Sequence, residues 1–390
     1  MTPELLRLIL AQVCLHAAMT GTRLAAPLLA LQQGYSAAAV GVMLSLFALT
    51  QVFLALPAGR FADRHGLKLP LSIAVGAATA GAAMAAAFPV FPVLCLAALL
   101  TGGATGITVI ALQRHVGRAA AHPTQLKQVF SWLAISPAAA NFVGPFAAGL
   151  LIDHAGATPG ALAGYRMAFG LAALLPLVCW LLARGTRELP MTPPPPGAPK
   201  PRATDLLGQP MFRRLLFVNW LQSASWDVHT FVLPILGHER GLSASVIGSL
   251  LGAFAVAAAG IRVVLPMIAS RVSERMVITV SNVITAGVFA IYPFMASALG
   301  MGACSVMLGI ALGAVQPMVM SMLHQITPHA RHGEALGLRV MTLNASSVAM
   351  PMLFGAAGAV IGVAGVFWLV GGVVAAGTRA VWGLRVDPPR

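Results

Sequence analysis

Ten acidic side chains are spread over 390 residues, and nine of them fall in loops, in tails or at the ends of apolar runs. The exception is Asp227, in the middle of an apolar run, with His229 two positions further on. A carboxylate at that depth in hydrocarbon costs at least a few kcal/mol unless it is paired or hydrated. Protonation removes the charge and changes what the group pairs with, so Asp227 is the chain's one central proton-carrier candidate among carboxylates. Arg23 lies in the first apolar run, Arg262 in a later one, and His324 with Gln325 near the end of another. We expect Arg23 and Asp227 to pair in one state and separate in another, with Asp227 or His229 taking a proton; the alternative is a static, stabilising ion pair. His16, Gln51, Gln222, Arg262 and Asn344 are the candidates for contacting a solute, although Arg262 is close enough to the end of its run to snorkel instead. Basic groups outnumber acidic ones in this set, which favours an anionic or zwitterionic solute.

Other chemistry is poorly supported. His329 and His332 have a metal-like spacing but no further ligand nearby, so they read as solvated loop histidines and no metal or other cofactor is expected. Cys14, Cys95, Cys179 and Cys304 show no paired spacing and read as small packing residues. No H-E-x-x-H, G-x-S-x-G or paired intramembrane aspartate motif is present, so an enzyme is not expected.

These residues must be positioned by helices in a bilayer. The chain is 58% hydrophobic and 9% charged, with a mean hydropathy of +0.86, against a charged share of about 25% in soluble domains. At ~20 residues per crossing the apolar runs number about twelve. The first, Leu5 to Leu31, reads as a retained helix rather than a cleaved signal. The formal charge of +14 could indicate nucleic acid, but the basic residues mark alternate loops. Arg60, Arg64 and Lys68, then Arg114, Arg118 and Lys127, then the central stretch, Arg271 with Arg275, and Arg331 fall on one side; only Arg166 and Arg240 fall on the other. This positive-inside pattern puts both termini in the cytoplasm of a cell inner (plasma) membrane protein that touches anionic lipid and no nucleic acid.

The chain is also built twice. Gly34 to Leu49 (GYSAAAVGVMLSLFAL) returns as Gly241 to Val256 (GLSASVIGSLLGAFAV), an offset of 207 positions that also aligns Pro27 with Pro234, Arg7 with Arg214 and Gln12 with Asn219. The same offset sets Asp227 over Thr20, one turn from Arg23. Between the repeats, Thr192 to Arg202 reads TPPPPGAPKPR, which resists both helix and sheet. The expected division is a six-helix bundle over 1–186, a cytoplasmic Pro-rich linker over 187–211 and a second six-helix bundle over 212–390. Gly102, Gly103, Gly106, Gly309 and Gly313 read as small-residue packing surfaces between helices.

Two motifs carry a family resemblance. The loop after the second helix, GRFADRHGLK (Gly59 to Lys68), resembles the G-x-x-x-D-R-x-G loop signature of the major facilitator superfamily, with Gly59, Asp63, Arg64, Gly66 and Lys68 in place and Leu67 where a basic residue is usual. In that family this loop latches the two halves on the cytoplasmic side when the site faces outward, a role the resemblance assigns to Asp63 and Arg64. The second half matches poorly at PMIASRVSER (Pro266 to Arg275), so a one-sided latch is expected, with Glu334 and Arg339 of RHGEALGLR as its partners. In the fifth helix NFVGPFAAG (Asn141 to Gly149) is similar to the family's exporter element at Gly144, Pro145 and Gly149, which implies a bend there and favours efflux; Ala140 and Leu150 depart from it. The Arg that drug/proton antiporters of the family carry before the fourth-helix glycines is missing from Ala97 to Thr101.

The resulting expectation is an all-α, twelve-helix protein resembling this superfamily, a secondary transporter that moves a small organic solute by alternating access, with proton-coupled efflux and a monomeric state. The alternatives are import of an organic anion or nutrient by symport, and a non-transporting membrane sensor.

Overall fold

A computed structural model describes all residues except 1, 36, 121, 156–157, 159–160, 191–202, 241, 243 and 385–390. The Pro-rich stretch Thr192 to Arg202 therefore lies outside the described residues. What is described is almost wholly helical. The helices are α1 (Pro3–Gln32), α2 (Ala37–His65), α3 (Lys68–Ala87), α4 (Phe91–Ala119), α5 (Pro123–Leu133), α6 (Ile135–His154), α7 (Leu162–Ala183), α8 (Ala203–Gly208), α9 (Pro210–Glu239), α10 (Ala244–Ile268), α11 (Glu274–Ile291), α12 (Ala298–Ile326) and α13 (His332–Trp382). In lipid the backbone polar groups must be satisfied within each segment, which is why apolar runs of this length become helices.

Among the described residues ten spans are long and apolar enough to cross a bilayer, α5 and α6 together forming one of them. Two more bring the number to twelve: α9, which carries Asn219, Gln222, Asp227 and His229 through its middle, and the first limb of α13. The 51-residue α13 is two spans joined at Gly362, whose φ of 71° only glycine adopts readily. The fifth span is interrupted between α5 and α6 at Ala134. Pro137 explains the break, because it has no N–H to give the Leu133 carbonyl one turn back.

Two compact units emerge. The first comprises Met1–Ala119, Ile135–Ala198 and His329–Asn344; the second comprises Ala120–Ala134, Pro199–Pro328 and Ala345–Arg390. These packing units differ from a division at the repeat boundaries, because each takes in a segment from the other half of the sequence. The two displaced segments occupy equivalent places in the repeat: offset by 207, positions 122–134 become 329–341.

Within the first unit α1 packs on α6 and α7, α2 on α4, and α3 on α4 and α7. Its core includes Met43, Phe47, Leu94 and Phe169. In the second, α10 packs on α12 and α5, α11 on α12, and α9 on α12, around Phe254, Phe289, Tyr292 and Phe367. The duplication reaches down to single contacts. A Cβ on Gly102 would collide with the Phe47 backbone, and one on Gly309 with the Phe254 backbone, the same pair displaced by the repeat offset. Gly106 against Gln51 and Gly313 against Ala258 repeat the relation one turn along. With no hydrophobic drive between helices in lipid, such bare backbone contacts gain their energy from close van der Waals packing.

Candidate functional site

The most developed constellation of charge lies in the first unit, where the end of α2 meets the start of α13. Bare backbone sets the approach: a Cβ on Gly59 would run into the Gly333 carbonyl, one on Gly333 into the Gly59 carbonyl, and one on Gly337 into the Ala55 carbonyl. That approach brings Asp63 to the N-terminus of α13, where helix N–H groups lack intrahelical partners. Its Oδ1 accepts from the Gly333 N–H and its Oδ2 from the Glu334 N–H, each at 2.9 Å. A carboxylate placed there is also favoured by the helix dipole.

Buried Arg114 of α4 completes the arrangement, giving its Nε to Asp63 Oδ1 at 2.6 Å and its Nη2 to the Asp63 carbonyl at 3.2 Å. Glu334, 3% exposed, accepts from Arg60 Nε at 3.0 Å on one oxygen and from Arg331 Nε at 2.7 Å on the other. Two ion-paired acids thus stand next to each other, Asp63 with Arg114 and Glu334 with Arg60 and Arg331, joined through the Glu334 backbone N–H, so each carboxylate is paired and hydrogen-bonded.

Of the residues the sequence proposes for the loop contact, Gly59, Asp63 and Glu334 lie in this cluster. Arg60 and Arg114, which in the sequence read only as orienting charges, join them, since a lone acid in a basic loop calls for a cation. Arg64 is exposed and makes none of these contacts, while Arg339 is buried further along α13. Gly66 takes a φ of 77° to turn the chain into α3. The N–H groups of Leu67 and Lys68 that this turn presents both donate to the Glu188 carboxylate, at 3.0 and 2.5 Å.

The second unit holds a counterpart. Glu274 opens α11, capped by Ser273, and accepts from Ser321 Oγ and Gln325 Nε2, each at 2.8 Å. Lys127 of α5 approaches Glu274 Oε2 at 3.6 Å and donates to the Val272 carbonyl at 2.7 Å. Gln128 Nε2 donates to the Pro266 carbonyl at 3.2 Å. Lys127 is the repeat equivalent of Glu334, so one position of the repeat carries opposite charge in the two displaced segments, each meeting opposite charge at partners that the offset does not align. The weak motif match in PMIASRVSER hides this, because the position matching Asp63 is Ser270 and the acid comes four residues later at Glu274.

Among the intramembrane candidates, Arg23 in the first unit is exposed on α1. His16, two turns before it, is half-buried with no partner on Nδ1. In the second unit Asp227 is half-buried and its Oδ2 has no hydrogen-bond partner. His229 is fully buried, its ring 4.4 Å from that of Phe254 and 5.9 Å from that of Tyr292. Gln222 is buried and donates through Nε2 to Asn282 Oδ1 on α11. Arg262 does not snorkel. It is 8% exposed, gives Nη1 to the Ala134 carbonyl at 3.0 Å and Nε to the Gly313 carbonyl at 3.3 Å, and lies 5.8 Å from the Trp226 ring. It thus takes up the carbonyl at which the fifth span is interrupted.

Gln51 packs against Gly106, and Asn344 gives its Nδ2 to the Val340 carbonyl one turn back at 2.9 Å. α6 continues as a helix through Pro145. Gly144 also serves a close contact, since a Cβ there would meet Thr20 Oγ1 and the Ala17 carbonyl of α1. Gly149 has room for a Cβ, with Leu24 Cδ2 at 4.0 Å. Among the described residues no three His, Cys, Asp or Glu side chains gather as a metal site would require.

Several solved structures share this arrangement of helices. A bacterial homologue of the iron transporter ferroportin, in an outward-facing state, superposes with a TM-score of 0.81 at 16% identity, covering 98% of this chain and 99% of that one. The human organic anion transporter MFSD10 (TETRAN) gives 0.78 at 16% identity, covering 98% and 100%. The transporter FucP, in an outward conformation, gives 0.78 at 13%, covering 97% and 98%. A comparison with curated protein sequences finds no match. The sequence profile of the Major Facilitator Superfamily matches residues 8–221 and again 215–390. With two matches spanning nearly the whole chain and a duplicated set of twelve membrane helices, this chain belongs to the Major Facilitator Superfamily and has the fold of a multi-pass membrane transporter.

Proposed function

We propose that the protein is a proton-coupled secondary transporter that exports a small organic anion or zwitterion from the cytoplasm by alternating access. The observation that carries the alternating-access reading is the Asp63 carboxylate seated on the N–H groups of Gly333 and Glu334. It joins helices from opposite halves of the sequence through a few hydrogen bonds and ion pairs that can break and re-form as a set. In the family resemblance this latch is engaged when the site faces outward. The Lys127–Glu274 contact is its counterpart in the second unit.

In this reading the Gly59–Lys68 loop and both termini lie on the cytoplasmic face of the inner membrane, where the positive-inside distribution of Lys and Arg puts them. Asp227 is the proton carrier. It is half-buried with an unpartnered oxygen, and protonation changes which cation it attracts. Arg23, exposed on α1, is the cation it pairs with in the complementary state, and with His16 it favours an anionic solute. MFSD10, named as an organic anion transporter, agrees with that class. The direction rests on Gly144 and Pro145. Import by symport is the competing direction, and the monomer is the working unit.

The test uses proteoliposomes loaded with a pH-sensitive dye and challenged with a panel of organic acids. A substrate should move protons with it in the wild type, and Asp227→Asn should abolish the solute-dependent pH change while retaining solute binding. Unchanged coupling in Asp227→Asn would remove the proton-carrier role. Everted vesicles that accumulate the solute under an inside-acid gradient would support export; accumulation by whole cells would support import.

A further inference from the structure

Inside the second unit, side chains of α9 and α11 meet at the Gln222–Asn282 hydrogen bond and the His229–Tyr292 ring contact, and along the seam between these points lie polar groups that the bundle does not satisfy. Gln222, Ser225 and His229 recur at helical spacing on one face of α9, and Asn282 and Thr285 do so on α11. All five are at most 6% exposed. The Gln222–Asn282 hydrogen bond and the His229–Tyr292 ring contact fix the register of the two helices. Ser225 is satisfied by the Leu221 carbonyl at 2.9 Å. Gln222 Oε1, Asn282 Nδ2, Thr285 Oγ1 and both ring nitrogens of His229 have no partner, and neither does Asn219 Nδ2 one turn before Gln222.

The repeat supplies an internal control. At the offset of 207, Gln222, Asn282 and Thr285 correspond to Leu15, Val75 and Ala78, all apolar and buried in the first unit, whereas Asn219 and His229 correspond to the polar Gln12 and Thr22. The same architecture therefore packs with apolar groups in place of Gln222, Asn282 and Thr285, and packing alone does not account for them.

We infer that the α9–α11 seam is an internal water-binding site, a short file of ordered waters extending from the Gln222–Asn282 pair past Thr285 to the His229 imidazole. The seam is about 10 Å long, from the seven-residue separation of Gln222 and His229 at 1.5 Å per residue. Its hydrogen-bonding character selects the ligand. As drawn, the amide pair leaves one acceptor on Gln222 and one donor on Asn282. Rotating both amides exchanges the roles and still leaves one of each. A hydroxyl can give or accept, and a neutral imidazole carries one donor and one acceptor. A bare cation wants oxygens only and an anion wants donors only, whereas water meets a mixed set with two to four partners. The inference does not depend on the proposed substrate or direction, and it holds even if Asp227 carries no proton.

Two measurements on the full chain in detergent or nanodiscs test it. Radiolytic hydroxyl labelling reports bound water beside each residue. Leu221 and Val288 along the seam should label several-fold faster than Leu15 and Val75 in the first unit, a comparison of like side chains. The triple variant Gln222→Leu, Asn282→Val, Thr285→Ala installs the first unit's residues. It should lose the excess labelling while keeping a melting temperature at or above that of the wild type. Equal labelling of the two seams in the wild type would overturn the inference, a comparison that stands even if the triple variant fails to fold. A bromide-soaked crystal with an anomalous peak at Asn282 would overturn it in favour of an anion.

Discussion

Asp63 and its motif neighbour Arg64 differ in what they touch, Asp63 in a closed set of contacts and Arg64 exposed. Asp63 is paired with Arg114, 3% exposed, and satisfies two helix N–H groups. Asp63→Asn keeps the shape, removes the charge and strands the arginine, which should cost about 3 kcal/mol. The expected result is a clear fall in the thermal midpoint together with loss of transport. Arg64→Ala, on an exposed side chain without these contacts, should stay within ~0.5 kcal/mol of the wild type in the same melt. Arg60→Ala falls between them: its guanidinium is 42% exposed, so the ion pair is screened, and Glu334 keeps Arg331. Equal effects of Asp63→Asn and Arg64→Ala would show that orientation by positive charge, rather than the geometry at α13, is what the loop supplies.

At the level of the helices, the contact between α2 and α13 depends on bare backbone. Gly333→Ala places a methyl group against the Gly59 carbonyl and the Asp63 carboxyl. The two helices must then separate, at a cost of about 1–3 kcal/mol, and maleimide labelling of a reporter cysteine introduced near Ala55 should accelerate. The counterpart in the second unit should be more tolerant. Lys127→Met leaves Glu274 with Ser321 and Gln325 and removes one contact at 3.6 Å, so about 1 kcal/mol or less is expected in a thermal melt. Legibility also varied between elements. GRFADRHGLK announced its helix contact through Gly59 and Asp63, whereas the α5 contact was silent, because Lys127 and Glu274 look like ordinary loop charges until folding brings them together. The fifth span shows the same limit. Gly144–Pro145 was the conspicuous pair, but Pro137 removes the N–H that the break requires, and Gly144 is needed for contact with α1.

For the whole molecule, each compact unit contains a segment from the other half of the sequence. Halves expressed separately, split within 191–202, should therefore each lack part of their packing. They are expected to co-purify when co-expressed, and each alone should melt at a lower temperature than the pair. Separate halves as stable as the pair would show that the displaced segments contribute little. A reversible cross-link makes the dynamic test: Arg60→Cys with Glu334→Cys, bridged by a short bis-thiosulfonate, should stop transport, and reductant should restore it. Continued transport in the bridged protein would mean that the latch need not open.

The sequence by itself determined the solvent, the number of crossings, the duplication and the family. Each of these depends on quantities that add along the chain: apolar length against bilayer thickness, Lys and Arg per loop, and a repeat that keeps its register down to the Gly102–Phe47 and Gly309–Phe254 contacts. Tertiary structure alone decided which charges meet. Arg114 reaches Asp63 across 51 positions and Gly333 reaches it across 270, separations at which no local pattern constrains a partner. It also decided that His229 and Gln222 belong to the interior of the second unit. Which side of a polar-bearing helix faces its own bundle follows from how neighbouring helices pack, and that is a property of the assembled helices.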